Sequence, residues 1–276
     1  MPDWPFPAGQ VIESAGVDTA NSRGTGVTAS ASVNTKGSWT QIIAATAYES
    51  NCVFVNVRAP SAATQSYLVD IGFGGAGSEF VVIPNLVIGS MTGTVAKHGG
   101  IWLPIHVPRG TRISARCQSS VASGIVRVMV HTMAAGFING VGLSRVIDYG
   151  TVLSTSEGTT VDPGATINTK GSWVQLSASI TNPMRAFFLG FSSLKNGAST
   201  SANFLLDVGV GAAASERTVL SNLHFEVSST DDTVTPSLMG PFFAEIAAGV
   251  RLAVRAQSSG ADVTDRLFGA MVYGIG

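Results

Sequence analysis

Polar and apolar residues alternate along short stretches of this chain, and no long segment follows a helical period. In Arg112-Ile113-Ser114-Ala115-Arg116-Cys117-Gln118 the alternation is strict, and Arg251-Leu252-Ala253-Val254-Arg255-Ala256-Gln257 nearly repeats it. Successive side chains of a strand face opposite ways. The pattern therefore predicts that Ile113, Ala115 and Cys117 point into a core while Arg112, Arg116 and Gln118 share the other face. Residues 53–57, 67–71, 80–83 and 125–131 are further short runs rich in Val, Ile, Phe or Tyr. Turn residues separate them at intervals of roughly ten, the spacing of a sandwich or jelly roll rather than of βαβ units. The predicted class is all-β.

The pattern is written twice. Asn34-Thr35-Lys36-Gly37-Ser38-Trp39 recurs unchanged as Asn168-Thr169-Lys170-Gly171-Ser172-Trp173. Around this match Val11-Ile12-Glu13 aligns with Val146-Ile147-Asp148, Gln41-Ile42 with Gln175-Leu176, and Val53-Phe54-Val55 with Phe187-Phe188-Leu189. Val69-Asp70-Ile71-Gly72 aligns with Leu206-Asp207-Val208-Gly209, Glu79 with Glu216, and Asn85-Leu86 with Asn222-Leu223. Arg127 matches Arg266 at the end of the series. The reading is two homologous tandem β-sandwich, jelly-roll-like domains, residues 11–133 and 146–276, joined by a Gly-rich linker at 134–145. Residues 1–10 read as a short extended arm, because Pro2, Pro5 and Pro7 stiffen it. Trp4 and Phe6 in that arm suit docking onto a neighbouring chain. Trp39 and Trp173 are expected to anchor the start of each core.

Composition narrows the partners. Charged residues make up 12% of the 276, hydrophobic residues 45%, and the net charge is −1. No basic patch is available to neutralise phosphates, so nucleic acid is not an expected partner. Ordinary soluble domains carry about 25% charged residues, and a surface this bland suits coverage by neighbours. The most apolar stretch, 125–143, is interrupted by Arg127, His131 and Asn139, so no membrane span is expected. Met1-Pro2-Asp3-Trp4-Pro5 has neither the basic start nor the apolar centre of a secretory signal, and folding in a cytoplasm is the expectation. Cys52 aligns with Ala186 and Cys117 with Ala256, which suits small core slots. Their joint loss also suits a disulfide present in one copy, but a cytoplasmic origin favours free thiols.

The copy comparison weakens each catalytic candidate. His106 aligns with Phe243, His131 with Ala270 and His224 with Val87, while His98 lies in a Gly-rich loop; no spacing suits a metal or a triad. Gly72-Phe73-Gly74-Gly75-Ala76-Gly77 is not followed by a helix and reads as a hairpin turn, not a phosphate cradle. The constellation kept in both copies is ionic: Asp70, Glu79, Arg112 and Arg116, with Asp207, Glu216, Arg251 and Arg255. Asp70 and Glu79 would face each other across a hairpin symmetric about Gly74-Gly75 and so require a cation. A structural salt-bridge network is the favoured reading over a calcium site, a sugar cleft or a glycosidase pair. No cofactor is expected.

The hexapeptide, the Leu68-Val69-Asp70-Ile71-Gly72-Phe73-Gly74-Gly75-Ala76-Gly77 segment and residues 108–120 resemble modules of virion proteins of tailed bacteriophages, over about residues 11–276. The resemblance implies a homo-oligomeric, non-catalytic structural component, made in the host cytoplasm and located in the virion. Its partners would be itself and other virion proteins, and its place the capsid surface, as decoration or cement, or the tail or collar. The competing reading is a receptor- or carbohydrate-binding module of a phage fibre, which needs exposed aromatics such as Tyr67 or Trp102 as stacking platforms.

Overall fold

The computed structural model describes residues 11–59, 65–90, 98–133, 146–194, 202–227, 234–235, 237–260 and 267–276. The arm with Trp4 and Phe6, and the linker at 134–145, lie outside the described residues. The first copy contains β1 (Ile12–Ala15), β2 (Val17–Asp18), β3 (Arg23–Thr28), β4 (Thr40–Ile43), β5 (Cys52–Arg58), β6 (Gln65–Phe73), β7 (Phe80–Ser90), β8 (His98–Leu103), β9 (Ile113–Ser119) and β10 (Ile125–Met133). The second contains β11 (Val146–Tyr149), β12 (Thr151–Val152), β13 (Glu157–Val161), β14 (Val174–Ser177), β15 (Met184–Leu194) and β16 (Ala202–Val210). It continues with β17 (Arg217–Val227), β18 (Val234–Thr235), β19 (Leu238–Ile246), β20 (Leu252–Ser258) and β21 (Phe268–Ile275). Residues 98–103 are thus strand, not the loop expected around His98.

Each copy closes as two sheets. In the first, β2-β3-β10-β5-β8, with β1 also on β10, faces β4-β9-β6-β7. In the second, β12-β13-β21-β15-β19, with β11 on β21, faces β14-β20-β16-β17-β18. From β3 and from β13 onward the chain crosses between the two sheets at most steps, the wiring of a jelly roll. Alternation marks which side of such a strand faces the apolar core: Ile113, Ala115 and Cys117 are all fully buried in the first core, as the pattern predicts. They meet Val55, Val128 and Val130 from the opposite sheet in the same cluster.

Strand register corrects the alignment of the last strands. Phe54 of β5 lies opposite His131 of β10, and Phe188 of β15 opposite Tyr273 of β21. The counterpart of His131 is therefore Tyr273, not Ala270. Likewise Ile12 meets Met133 as Val146 meets Ile275, so the repeat starts one residue out from the sequence alignment. The slip has a physical cause. All eight residues of β21 are buried, so it lacks the polar alternation that would mark its register.

That double burial comes from a third contact. The outer face of the β15–β21 sheet packs on the outer face of the first copy's β6–β7 sheet, so Val146, Phe188, Met271 and Tyr273 belong to the first copy's hydrophobic cluster. The four sheets stack in one pile.

Candidate functional site

The ionic residues separate into two pairs per copy. Asp70 accepts from Arg116 Nε at 2.9 Å, from Lys36 Nζ at 2.7 Å and from the Asn85 N–H at 2.9 Å. Asp207 repeats this with Arg255 at 2.9 Å, Lys170 at 2.8 Å and the Asn222 N–H at 2.9 Å. Glu79 accepts from Arg112 Nη1 at 2.6 Å, and Arg112 Nε donates to Gln41 at 3.2 Å; Glu216, Arg251 and Gln175 form the same set. Asp70 and Glu79 do not oppose each other, contrary to expectation. The ladder of β6 and β7 shifts between Val69 and Gly72, and Phe73 meets Phe80 at the turn. The shift places Asp70 beside Asn85 and leaves Glu79 at the hairpin end.

Both oxygens of Asp70 are thus taken by cations, the arrangement of a salt-bridge network. For Asp207, burial alone would raise the carboxyl; the hydrogen bonds from Lys170, Asn222 and Arg255 outweigh it and hold the group below its ordinary 3.8. The hydrogen bond from Arg112 holds Glu79 low against its burial. Burial, the largest influence on Lys36, leaves its ammonium below the ordinary 10.5 despite the attraction of Asp70.

The repeated hexapeptide is the clamp that completes these networks. Asn34 and Asn168 hold left-handed backbone at φ 54° and 56°, a conformation Asn tolerates. The Gly37 N–H reaches the Cys117 carbonyl at 2.8 Å, and a Cβ there would lie 2.2 Å from the Thr28 carbonyl oxygen. Trp39 and Trp173 do occupy equivalent places, but on the outer face and only half-buried. Arg116 Cζ sits 4.6 Å from the Trp39 ring centre and Arg255 Cζ 4.5 Å from that of Trp173, a cation–π contact. Gly72 and Gly209 make room beneath the rings; a Cβ on either would lie 2.6 Å from the indole Cη2. Each Trp lids an ionic network and does not start a core.

In the first copy the network borders the contact between copies. Lys36, Asp70, Asn85, Arg116, Asp148 and Leu153 line a groove of ≈ 350 Å³. The Asn85 side chain donates to Asp148 at 3.1 Å. Tyr273, fully buried, accepts from the Val87 N–H at 2.7 Å and donates to the Asn85 carbonyl at 2.8 Å. The turn between β12 and β13 plugs a socket: Gln118 Nε2 donates to the Leu153 carbonyl at 2.7 Å and to Ser156 Oγ at 3.1 Å. Ser156 in turn donates to Asn34 at 2.8 Å, and Ser66 to Glu157 at 3.2 Å. Sequence reading missed Lys36, Lys170 and this whole contact.

The remaining candidates fall into place singly. Cys52 and Cys117 are buried free thiols, pushed up by burial to about 11 and about 12. Tyr67 is fully buried and offers no platform. Trp102 is 46% exposed and packs on Phe54 with ring centres 4.5 Å apart and planes tilted by 34°, and Phe54 lies 5.9 Å from His131. His106 pairs with Glu49 at 3.1 Å on the surface.

No protein-family description matches the chain, and no curated protein does. Among solved structures, the tandem CBM22-1-CBM22-2 domains of Xyn10C from Paenibacillus barcinonensis align over 98% of this chain and 91% of theirs, at 9% identity and a TM-score of 0.26. A structure of the infectious bursal disease virus Gx strain aligns over 96% of this chain and 71% of its own, at 13% identity and a TM-score of 0.26. Similarity this slight carries no functional argument.

Proposed function

We propose that the chain is a non-enzymatic structural component of a tailed-phage virion, acting as a capsid decoration or cement protein or as a tail or collar component. The observation that carries this reading is the face-to-face stacking of the two jelly rolls. The acids and bases kept in both copies tie sheets, turns and Trp lids together, and the broad sheet faces are what make contacts. Double-sheet jelly rolls are common in viral capsid and lectin domains, an analogy at the level of fold alone. The resemblance of the repeated segments to phage virion modules points to the capsid side of that analogy, and a 12% charged composition suits a surface covered in an assembly. The test is electron microscopy of purified particles with the protein tagged. Tags at regular outer positions support the reading, and particles without the protein refute it.

One observation favours the binding-module alternative: the exposed Trp102, packed against Phe54, is a surface on which a sugar ring can lie. Titration with oligosaccharides, read by Trp fluorescence in the natural chain and in Trp102→Ala, tests it. Saturable quenching lost in the variant would support glycan binding.

A further inference from the structure

We propose that a second copy of this chain docks onto the outer β16–β17 face of the first, using its β2–β3 turn and the row Trp102–Phe54–His131, so that the contact joining the two domains recurs between chains. The inference rests on the structural reading above and names its partner.

Each half of the internal contact has a counterpart on the outside of the pile. The plug inside the chain is the turn between β12 and β13, with Thr151 opposite Gly158, Val152 opposite Glu157, and Ser156 at φ 60°. The turn between β2 and β3 has the same register, Val17 opposite Gly24 and Asp18 opposite Arg23, with Ser22 at φ 52°. The socket inside the chain uses Asn34, Ser66 and Gln118; their counterparts Asn168, Asn203 and Gln257 line a depression of ≈ 200 Å³ on the second copy's outer face, together with Leu205 and His224.

The cross-strand row also recurs. Asp148, Tyr273 and Phe188 are registered neighbours across β11, β21 and β15. Ser14, His131, Phe54 and Trp102 are registered across β1, β10, β5 and β8. Phe188 and Tyr273 of the first row are buried between the domains and Asp148 is half-buried, while the second row ends in an exposed Ser14 and a Trp102 46% exposed. Tyr273 caps the edge of β7 through the Asn85 carbonyl and Val87 N–H. On β17 the same edge is offered by Asn222 and His224, beyond β18, which among the described residues pairs with Glu226 and Val227. His131 already shares Nδ1 with Ser14 Oγ at 2.9 Å, leaving Nε2 to face that edge.

The substitutions allow an ion pair between chains. Where the internal plug carries Glu157 beside Ser66, the outer plug carries Arg23, 3.5 Å from Asp18 of the same turn, and the outer socket presents Glu226 directly across from Asn203. Val87 becomes His224 and Pro84 becomes Ser221, so the free socket is more polar than the buried one. That suits a contact made between chains already folded in water. Because plug and socket lie on different faces, the assembly is heterologous and grows as a ring or a filament.

The test uses the full chain and sedimentation velocity. Trp102→Glu disables the plug face and His224→Glu the socket face. Each variant alone is expected to stay monomeric, and a 1:1 mixture to form a dimer and nothing larger, because each supplies the face the other lacks. Arg23→Glu and Glu226→Arg are each expected to weaken association at least about tenfold, and the doubly swapped chain to recover it. A natural chain that stays monomeric to about 1 mM, the edge of specific affinity, overturns the proposal. So does a mixture that stays monomeric, or oligosaccharide quenching of Trp102 without self-association. Failure is separable from that of the virion reading: a monomer that still sediments with particles sinks only this contact, and assembly without particle attachment sinks only the virion role.

Discussion

Replacing Asp70 by Ala removes the one anion to which Lys36, Arg116 and the Asn85 N–H all donate. The Asp70 side chain is 4% exposed, and its partners Lys36 and Arg116 are 18% and 32% exposed. Breaking a fully buried pair costs about 3–5 kcal/mol, because a charge is left without compensation. Water reaches both cations here, so the electrostatic part is discounted to about 2 kcal/mol. The Asn85 N–H left without its acceptor adds about 1 kcal/mol. The sum, about 3 kcal/mol, is a large share of an ordinary domain's stability. Asp207→Ala meets the same three donors at nearly the same distances and is expected to cost the same. The assay is urea unfolding followed by Trp fluorescence, with Trp39 and Trp173 reporting on the two networks they cover. A loss below about 1 kcal/mol in both variants, as for an exposed ion pair, would refute the argument that these networks hold the sheets. The Asp207 contribution also predicts a pH dependence. Its carboxyl is held below 3.8 in the fold, so the stabilisation is complete above that pH and is lost as pH falls through the lowered native value.

Gly72→Ala and Gly209→Ala place a Cβ against the indole and are expected to cost about 1–3 kcal/mol, with red-shifted emission as the ring lifts off its Arg; unchanged emission would contradict the packing described. Tyr273→Phe leaves the Val87 N–H and Asn85 carbonyl without their shared partner and is expected to cost about 1–3 kcal/mol, with faster proteolysis between the two domains as the readout. Burial holds the His131 imidazole below 6.5, so the folded chain resists protonation. Stability is expected to fall as pH drops from 6.5 to the native value and to level off beneath it; His131→Gln should flatten that slope in thermal unfolding at stepped pH.

The all-β class was legible because the two faces of Ile113–Ser119, both covered, meet different surroundings, an apolar core on one side and a polar, hydrogen-bonded cover on the other, and so appear as alternate letters. The cations of the ionic set were legible in part: Arg112 and Arg116 stand in the same alternating strand on the polar face. Lys36 was not, although it lies in the best-matched hexapeptide, because its reach to Asp70 crosses 34 residues and no local pattern encodes it. The same hexapeptide misled about Trp39, since an aromatic covering a guanidinium on the outside reads in sequence like one entering a core. The contact between the domains was hidden for a different reason. Comparing the copies reveals what they share, whereas a contact made by only one face of each lies in what they do not share: Val87 against His224, Tyr273 against His131, Glu157 against Arg23. Phe268–Ile275, covered on both sides, offered no alternation from which that register could be read.

The most direct test of the account is imaging of the native particle at a resolution that places individual chains. The account predicts copies of this chain in a regular outer array or ring, with the Trp102 face of one seated on the His224 face of the next. Particles lacking the chain, or holding isolated copies with both faces turned to solvent, would contradict it.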